Sequence, residues 1–311
     1  MLKVLYFTSE TKKKFGIYKV INVLKKNQGN ELKIKLSNNI FDLFSFNPQI
    51  IHIHGCWRPK LLIIFLIAKI ISKKVVISPH GMIDPFSFNQ KKMKKILAWF
   101  LYQKHIFNFS NLIIVNSKLE KYNLIKKIKF HKDIKIINHG VDVQKKNNKI
   151  KKNKLKFVFY SRIHPSKNLD KLVEIWKKDN FFYKYKLDIY GEVEDLEYYN
   201  NVLKKIKNFK NINYKGPIHN NLGNKLSKYD IFLHPSESEN FGLVILEAIS
   251  CGLMPVVNKK LDWKILDKTK IGHSIDFRPK NLKNLIYKLE KSKKKIRIKK
   301  FNTKIRNFLS N

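Results

Sequence analysis

Two glutamates stand eight positions apart, Glu239 and Glu247, on either side of Asn240-Phe241-Gly242 in LHPSESENFGLVILEAISCGLMPVV, residues 233–257. A carboxylate accepts paired hydroxyls well, so each suits a sugar diol. Upstream, in YSRIHPSKNLDKLVEIW, residues 160–176, Arg162 precedes Lys167 by five positions. The Arg162 guanidinium can fork onto phosphate oxygens, while Lys167 adds a point charge near the start of a helix. Asn168 or Ser166 is placed to cap that helix. Gly242 removes side-chain bulk where a second helix begins, leaving backbone N–H groups, including those around Leu243, to meet a phosphate or sugar oxygen. Together these residues suit two sugars joined by a diphosphate: Glu239 on one sugar, Glu247 on a ribose, and Arg162 with Lys167 on the phosphates. The plain alternative is a solvated Arg and Lys in a lysine-rich chain. Glu247 argues against it, because a carboxylate in an otherwise apolar helix needs a partner.

Positioning such groups requires strand ends. Apolar runs rich in Val, Ile and aromatics recur: LKVLYF, IIHIHG, VVISPHG, NLIIVNS and IKIINHG, then LKFVFYSR, KLDIYGE, INYKG, DIFLHPS and MPVVN. Their lack of alternation suits strands buried on both faces of parallel sheets, and the helical patterns between them make βαβ units. The basic stretch VQKKNNKIKKNK separates the two groups of runs and has the composition of a linker. The chain therefore reads as an α/β protein of two doubly wound, Rossmann-like domains facing across a cleft. Residues 1–146 form the first domain, 147–154 the linker and 155–311 the second, with the terminal helices able to pack back on the first. In such sheets ligands bind beyond the carboxyl ends of strands. His54, His80, Arg162, Glu192, Gly216 and Glu239 all follow apolar runs.

Composition bounds the alternatives. Hydrophobic residues make up 43% of 311, enough for two cores, and the formal net charge is +42. Only five of the basic residues are arginines, which gives weight to one placed at a strand end. Such a charge attracts anions, though a Lys-, Asn- and Ile-rich compositional habit accounts for it equally well. Cys56 and Cys251 make no CxxC and no disulfide framework, as expected of a reducing cytosol. The opening MLKVLYF reads as a strand rather than a leader, and LLIIFLIAKIIS falls short of the roughly 20 apolar residues that span a bilayer. A nucleic-acid-binding protein would concentrate its lysines in one patch, whereas these are spread and accompanied by no binding motif.

The Glu239–Glu247 spacing resembles the E-x7-E motif of retaining glycosyltransferases with the GT-B fold, specifically glycosyltransferase family 4. IHIHGCW, ISPHGMIDPFSF, KKILAWFLYQKHIF, IINHGVD and YKGPI resemble further landmarks of bacterial members that build surface polysaccharides, such as lipopolysaccharide, capsule or exopolysaccharide. The resemblance covers nearly the whole chain. It implies that Arg162 and Lys167 grip the donor diphosphate, Glu239 contacts the donor sugar and Glu247 the ribose. It places Asn240, Phe241, Gly242 and Leu243 near sugar and phosphate, and His80 near the reacting centre. Base contacts fall near Gly216 to Ile218, and His54, Asp84 and Gly16 lie on the acceptor side. The implied donor is a UDP- or GDP-hexose and the acceptor a glycan or lipid-linked glycan. No cofactor or metal is expected, since no D-x-D triplet occurs. Where family members often carry Gly-Gly after the first strand, this chain offers only Gly16, and Ser161 stands where glycine is common. A non-catalytic sugar-nucleotide-binding relative is the alternative within the fold.

One segment suggests a location. KKMKKILAWFLYQKHIF mixes lysines with aromatics, and Met93, Ile96, Leu97, Phe100 and Leu101 make a helical stripe. A stripe of that kind is ordinarily a buried face. A basic aromatic helix can also rest on anionic lipid. The expected location is the cytoplasm, or the cytoplasmic face of the inner membrane as a peripheral protein.

Overall fold

A computed structural model describes residues 1–9, 16–26, 29, 31–128, 133–138, 155–239, 241–261 and 263–293. The chain divides into two compact units, Met1–Val141 and Asp142–Asn311. The 147–154 linker lies outside the described residues, as do 294–311 at the C-terminal end.

The first unit holds β1 (Leu2–Thr8), β2 (Leu32–Ser37), β3 (Ile50–His54), β4 (Lys74–Ser78), β5 (Leu112–Val115) and β6 (Ile134–Ile136). They form one parallel sheet in the order β2-β1-β3-β4-β5-β6. The second holds β7 (Phe157–Tyr160), β8 (Leu187–Tyr190), β9 (Ile212–Tyr214), β10 (Ile231–His234), β11 (Met254–Asn258) and β12 (His273–Ile275). These too are parallel, in the order β12-β11-β10-β7-β8-β9. Helices follow the strands in both units, so each is a doubly wound, Rossmann-like sheet of the kind the unalternated apolar runs predict.

Two strands do not follow from those runs. LKIKLS becomes β2 and HSI becomes β12, and each lies at the outer edge of its sheet. LKIKLS alternates lysine with apolar residues and HSI is only three residues long, so neither carries a continuous apolar signal.

The strand order fixes where a ligand can enter. In the second sheet the chain runs from β7 outward through β8 and β9, then returns to build β10, β11 and β12 on the other side. The crossovers diverge between β7 and β10, and this switch point opens a crevice at their carboxyl ends. Arg162 lies just beyond β7 and Glu239 just beyond β10. In the first sheet the switch falls between β1 and β3, with His54 closing β3.

Each unit has its own core. Leu5, Phe7, Ile51, Ile53, Val75 and Ile77 line the first sheet and bury the inner face of the helix Pro59–Ile70 through Leu61, Ile64 and Phe65. In the second, Phe157 and Phe159 meet Trp176 of the helix Leu169–Lys178, and Trp176 stacks on Phe182 at 4.9 Å. Burying each such side chain contributes about 1.5–3 kcal/mol. The helix Pro279–Lys293 seals this core with Leu282 and Ile286. No helix among the described residues is long and apolar enough to cross a membrane.

Candidate functional site

The loop after β10 carries the centre of the site. Lys167 Nζ sits 2.6 Å from Glu239 Oε1, with side chains only 8% and 13% exposed. His234, the last residue of β10, donates from Nε2 to the same oxygen at 2.8 Å. Burial alone would raise the Glu239 carboxyl, but the Lys167 charge and the His234 hydrogen bond outweigh it and hold the group well below the usual carboxylate range. The loop itself is tied down. Ser236 Oγ donates to the Ser166 and Ser238 carbonyls at 3.0 and 2.9 Å. The Asn168 and Asn258 amides both donate to the Pro235 carbonyl. A rigid loop is what keeps a buried ion pair aligned.

Lys167 reaches Glu239 from a short 3-10 turn, Pro165–Lys167. Neither predicted cap operates on the helix that follows. Ser166 lies inside the turn, where the His164 ring accepts its N–H, and Asn168 adopts the left-handed conformation with its side chain committed to Pro235. The turn must bend back over β10, and this leaves Asn168 facing the loop instead of the helix.

Arg162 occupies a different environment. Its Nη1 donates to both carboxylate oxygens of Glu194, at 2.6 and 2.8 Å, and the side chain is half exposed. Glu194 is thus the resting partner of the strand-end arginine. Gly191 permits the approach: a Cβ there would stand 1.9 Å from the Ser161 carbonyl oxygen. Its N–H donates to Gly216 O, which brings the segment bearing Ile218 beside the same end of the sheet.

Glu247 lies on the helix Leu243–Ser250. Its partner is Tyr160, the last residue of β7. Burial first, then the neighbouring carboxylate and its hydrogen bond, push the Tyr160 phenol far above its ordinary value. Gly242 has φ +73°, and a Cβ would press on Ile245 Cδ1 at 2.9 Å and Trp263 Nε1 at 3.0 Å. Only glycine fits without strain. Phe241 sets its ring edge-on to Trp263 at 6.4 Å, and Asn240 lies outside the described residues.

The first unit gathers imidazoles. His52 and His54 stack at 4.0 Å, and His54 Nδ1 is 2.9 Å from His80 Nε2. His52 pairs with Ser78 Oγ at 2.8 Å, and burial pushes its pKa down to about 3. His80 and Gly81 both take left-handed backbone, with φ 51° and 73°. Buried Glu120 holds that turn by accepting the Gly81 N–H on Oε1 and the Asn116 N–H, at 2.7 Å, on Oε2. Burial raises its pKa to about 7 in spite of both bonds. Asp84 accepts from Asn123 Nδ2 at 3.1 Å and is raised by burial. Gly16 begins the helix Gly16–Lys26, and residues 10–15 before it lie outside the described ones.

The structure therefore brings Lys167 to Glu239, Glu247 to the strand that precedes Arg162, and His54 to His80. Sequence reasoning did not single out His234, Tyr160, Glu194 as a partner, or Glu120. Ser117-x-x-Glu120 has capping-box spacing, and Ser117 does cap the helix Lys118–Ile125, so Glu120 carried a signal. Among the described residues no three His, Cys, Asp or Glu side chains converge as a metal ion would need.

Comparison with known proteins agrees with this architecture. An uncharacterized 41.2 kDa protein in the cps region of Klebsiella pneumoniae is 28% identical over 225 residues, which is 68% of this chain. The chain spans about three fifths of the length of that curated relative, 60%. Among solved structures, Anabaena HepE in complex with UDP and glucose is 16% identical, with a TM-score of 0.71 and full coverage of both chains. The lipopolysaccharide outer core galactosyltransferase WaaB, without ligand, is 14% identical, with a TM-score of 0.63 and coverage of 99% of this chain and 95% of its own. These likenesses establish the GT-B fold. Residues 9–145 match the family described as Glycosyltransferase Family 4, and residues 141–308 match Glycosyl transferases group 1. With more than half its length matched and both sheets built as that fold requires, the chain belongs to the glycosyl transferases group 1 family.

Proposed function

We propose that the protein is a retaining, metal-independent glycosyltransferase. It would move a hexose from a UDP- or GDP-sugar to a glycan or lipid-linked acceptor in the synthesis of a cell-surface polysaccharide. The observation that carries this reading is the buried Lys167–Glu239 pair at the β7–β10 switch point. A cation and a carboxylate held there out of water suit a ligand with a phosphate at one end and hydroxyls at the other. Support comes also from the UDP and glucose bound by HepE and from the cps-region relative.

In this reading Lys167 keeps one proton on Glu239 and turns its others to the diphosphate. Arg162 joins it with the guanidinium nitrogens that Glu194 does not occupy. Glu239 and the backbone of 240–243 hold the donor sugar, Glu247 the ribose, and the segment around Ile218 the base. His80 meets the transferred sugar, while His54, Asp84 and Gly16 shape the acceptor side. The bond from sugar carbon to phosphate oxygen breaks as the acceptor oxygen attacks from the same face. The acceptor proton passes to the departing diphosphate. No protein nucleophile is needed, so Glu239 acts by binding, and fixed cations that meet the growing charge lower the barrier. The protein would work in the cytoplasm, and a lipid-linked acceptor would bring it to the cytoplasmic face of the inner membrane.

The test is release of nucleoside diphosphate from a panel of UDP- and GDP-sugars by the purified chain, beside Glu239→Ala and Lys167→Ala. Release from one donor, abolished by both substitutions, is the expected result. Donor binding by calorimetry without release in any pairing with acceptors would favour a non-catalytic relative, and no binding at all would sink the site.

A further inference from the structure

The basic aromatic segment of the first unit does not behave as a core stripe. It is broken into a helix Lys92–Ala98, a π-helical turn Trp99–Gln103 and a helix Lys104–Phe109. Trp99 and Gln103 face inward, and the Tyr102 hydroxyl anchors the turn by donating to the Trp57 carbonyl at 2.7 Å. The apolar stripe points outward. Met93 is 78% exposed, Leu97 61%, Phe100 61% and Leu101 66%. Their spacing of three and four puts them on one helical face, and the π-turn presents Phe100 and Leu101 together.

The helix Pro59–Ile70 runs beside this segment. Trp57 N donates to Gln103 Oε1 at 2.9 Å just before its start, and Lys69 Nζ reaches Asn111 Oδ1 at 3.2 Å near its end. Its inner face is core, yet Leu66 and Ile70 on its outer face are 48% and 80% exposed. Apolar surface on two neighbouring helices exceeds the scattered single residues that need no explanation.

Charge decides the partner. Between Asp42 and Glu120 the sole acidic residue is Asp84, against eleven lysines and arginines. Lys91, Lys92 and Lys94 are exposed among the apolar residues, and Lys104 lies over the Phe100 ring at 5.5 Å. A lysine stem of that kind can lie along apolar surface while its ammonium reaches phosphate. We propose that this face, centred on Met93, Leu97, Phe100 and Leu101, docks on an anionic lipid bilayer, with the four side chains entering the headgroup boundary and the lysines meeting lipid phosphates. Exposed apolar side chains among lysines fit a fluid partner of negative charge, and repulsion between like charges opposes a second copy of this chain. The face stands on exposure and charge alone, whereas its use, to meet a lipid-linked acceptor, rests on the transferase reading.

Flotation of the full chain with vesicles tests it, using phosphatidylcholine alone or with about one third phosphatidylglycerol, a composition chosen for strong surface charge. Wild type should float with the mixed vesicles and stay down with phosphatidylcholine. The exposed variant Leu97→Gln/Phe100→Gln/Leu101→Gln should lose at least tenfold in apparent affinity while keeping its circular dichroism and Tm. Lys92→Gln/Lys94→Gln/Lys104→Gln should weaken binding several-fold more than Lys204→Gln/Lys207→Gln/Lys210→Gln, which removes equal charge in the second unit. Equal losses from the two lysine sets would reduce the effect to net charge and overturn the proposal. So would flotation untouched by the apolar substitutions, or a dimer by size exclusion that Phe100→Gln dissolves. Nucleoside diphosphate release from soluble donor, measured in the same samples, should be unchanged in the apolar variant. Its absence in wild type would count against the transferase reading and leave the docking result standing.

Discussion

The two units hold their buried ionisable groups by opposite means. In the second, Glu239 stays charged because Lys167 and His234 converge on one oxygen. In the first, His52 is driven toward its neutral form, Glu120 is raised to about 7, and the imidazoles stack and hydrogen-bond with one another. A site that keeps paired charge out of water suits a ligand that brings its own charge. A neutral, preorganised site suits a sugar, whose hydroxyls ask only for hydrogen bonds. In the proposed reading the second sheet end would hold the charged donor, sugar and diphosphate together, and the first would meet sugar hydroxyls with hydrogen bonds alone.

Acid acts on the two buried carboxyls in opposite senses. Glu239 is held below its ordinary value, so its pairing stabilises the second unit fully above about pH 4.5 and the benefit is lost as pH falls further. Glu120 is raised from 4.5 to about 7. The folded state then binds a proton that the unfolded state has released, and stability drops as pH climbs through that window.

The largest expected effect comes from breaking the charged site. Lys167→Ala leaves Glu239 buried without its cation and should cost about 3–5 kcal/mol, read by denaturant unfolding, with donor-dependent release lost. If stability stays within about 1 kcal/mol, water reaches the pair and the contrast between the units is false. Glu120→Gln should remove that carboxyl's share of the first unit's pH dependence and leave the opposing share of His52, whose depressed value costs stability as pH falls below about 6.5. Relative to the variant, wild type should lose about 3 kcal/mol between pH 4.5 and pH 7, measured as the change in Tm difference. A parallel pair of Tm profiles would count against a neutral first site. Tyr160→Phe takes the hydroxyl from Glu247 and should weaken donor binding by calorimetry by about 1 kcal/mol, roughly fivefold, with little change in fold. The smallest effect belongs to Glu194→Gln. Its ion pair with Arg162 is half exposed, so stability should move by less than about 0.5 kcal/mol. Donor affinity should hold or rise slightly, and a large loss would give Glu194 a direct part in binding.

Much of the fold was legible because parallel sheets buried on both faces write themselves as unbroken apolar runs. LKFVFYSR, KLDIYGE and DIFLHPS each became a strand whose polar residues follow at its end. The strands β2 and β12 were not legible, because lysines interrupt the first and the second is only three residues long. Within the candidate site, Glu239 and Lys167 were visible from residue type and position after a run. Their partners were not: His234 reads as any strand residue, and Tyr160 as one more aromatic in a core strand. The stripe from Met93 to Leu101 was legible as a stripe, yet its direction was not, since a period of 3.6 marks a face without saying what covers it.

What this sequence determines by itself is local: where strands run, which polar groups follow them, where Gly242 must relieve the backbone. Those depend on neighbours a few residues away. The tertiary structure alone decides that Lys167 meets Glu239 across 72 positions, that Arg162 rests on Glu194 across 32, and that the apolar stripe faces outward. Such pairings follow from strand order and from the way the helices pack. Strand order is set by which crossovers bury the most apolar surface, a quantity that belongs to the whole unit and to no single segment.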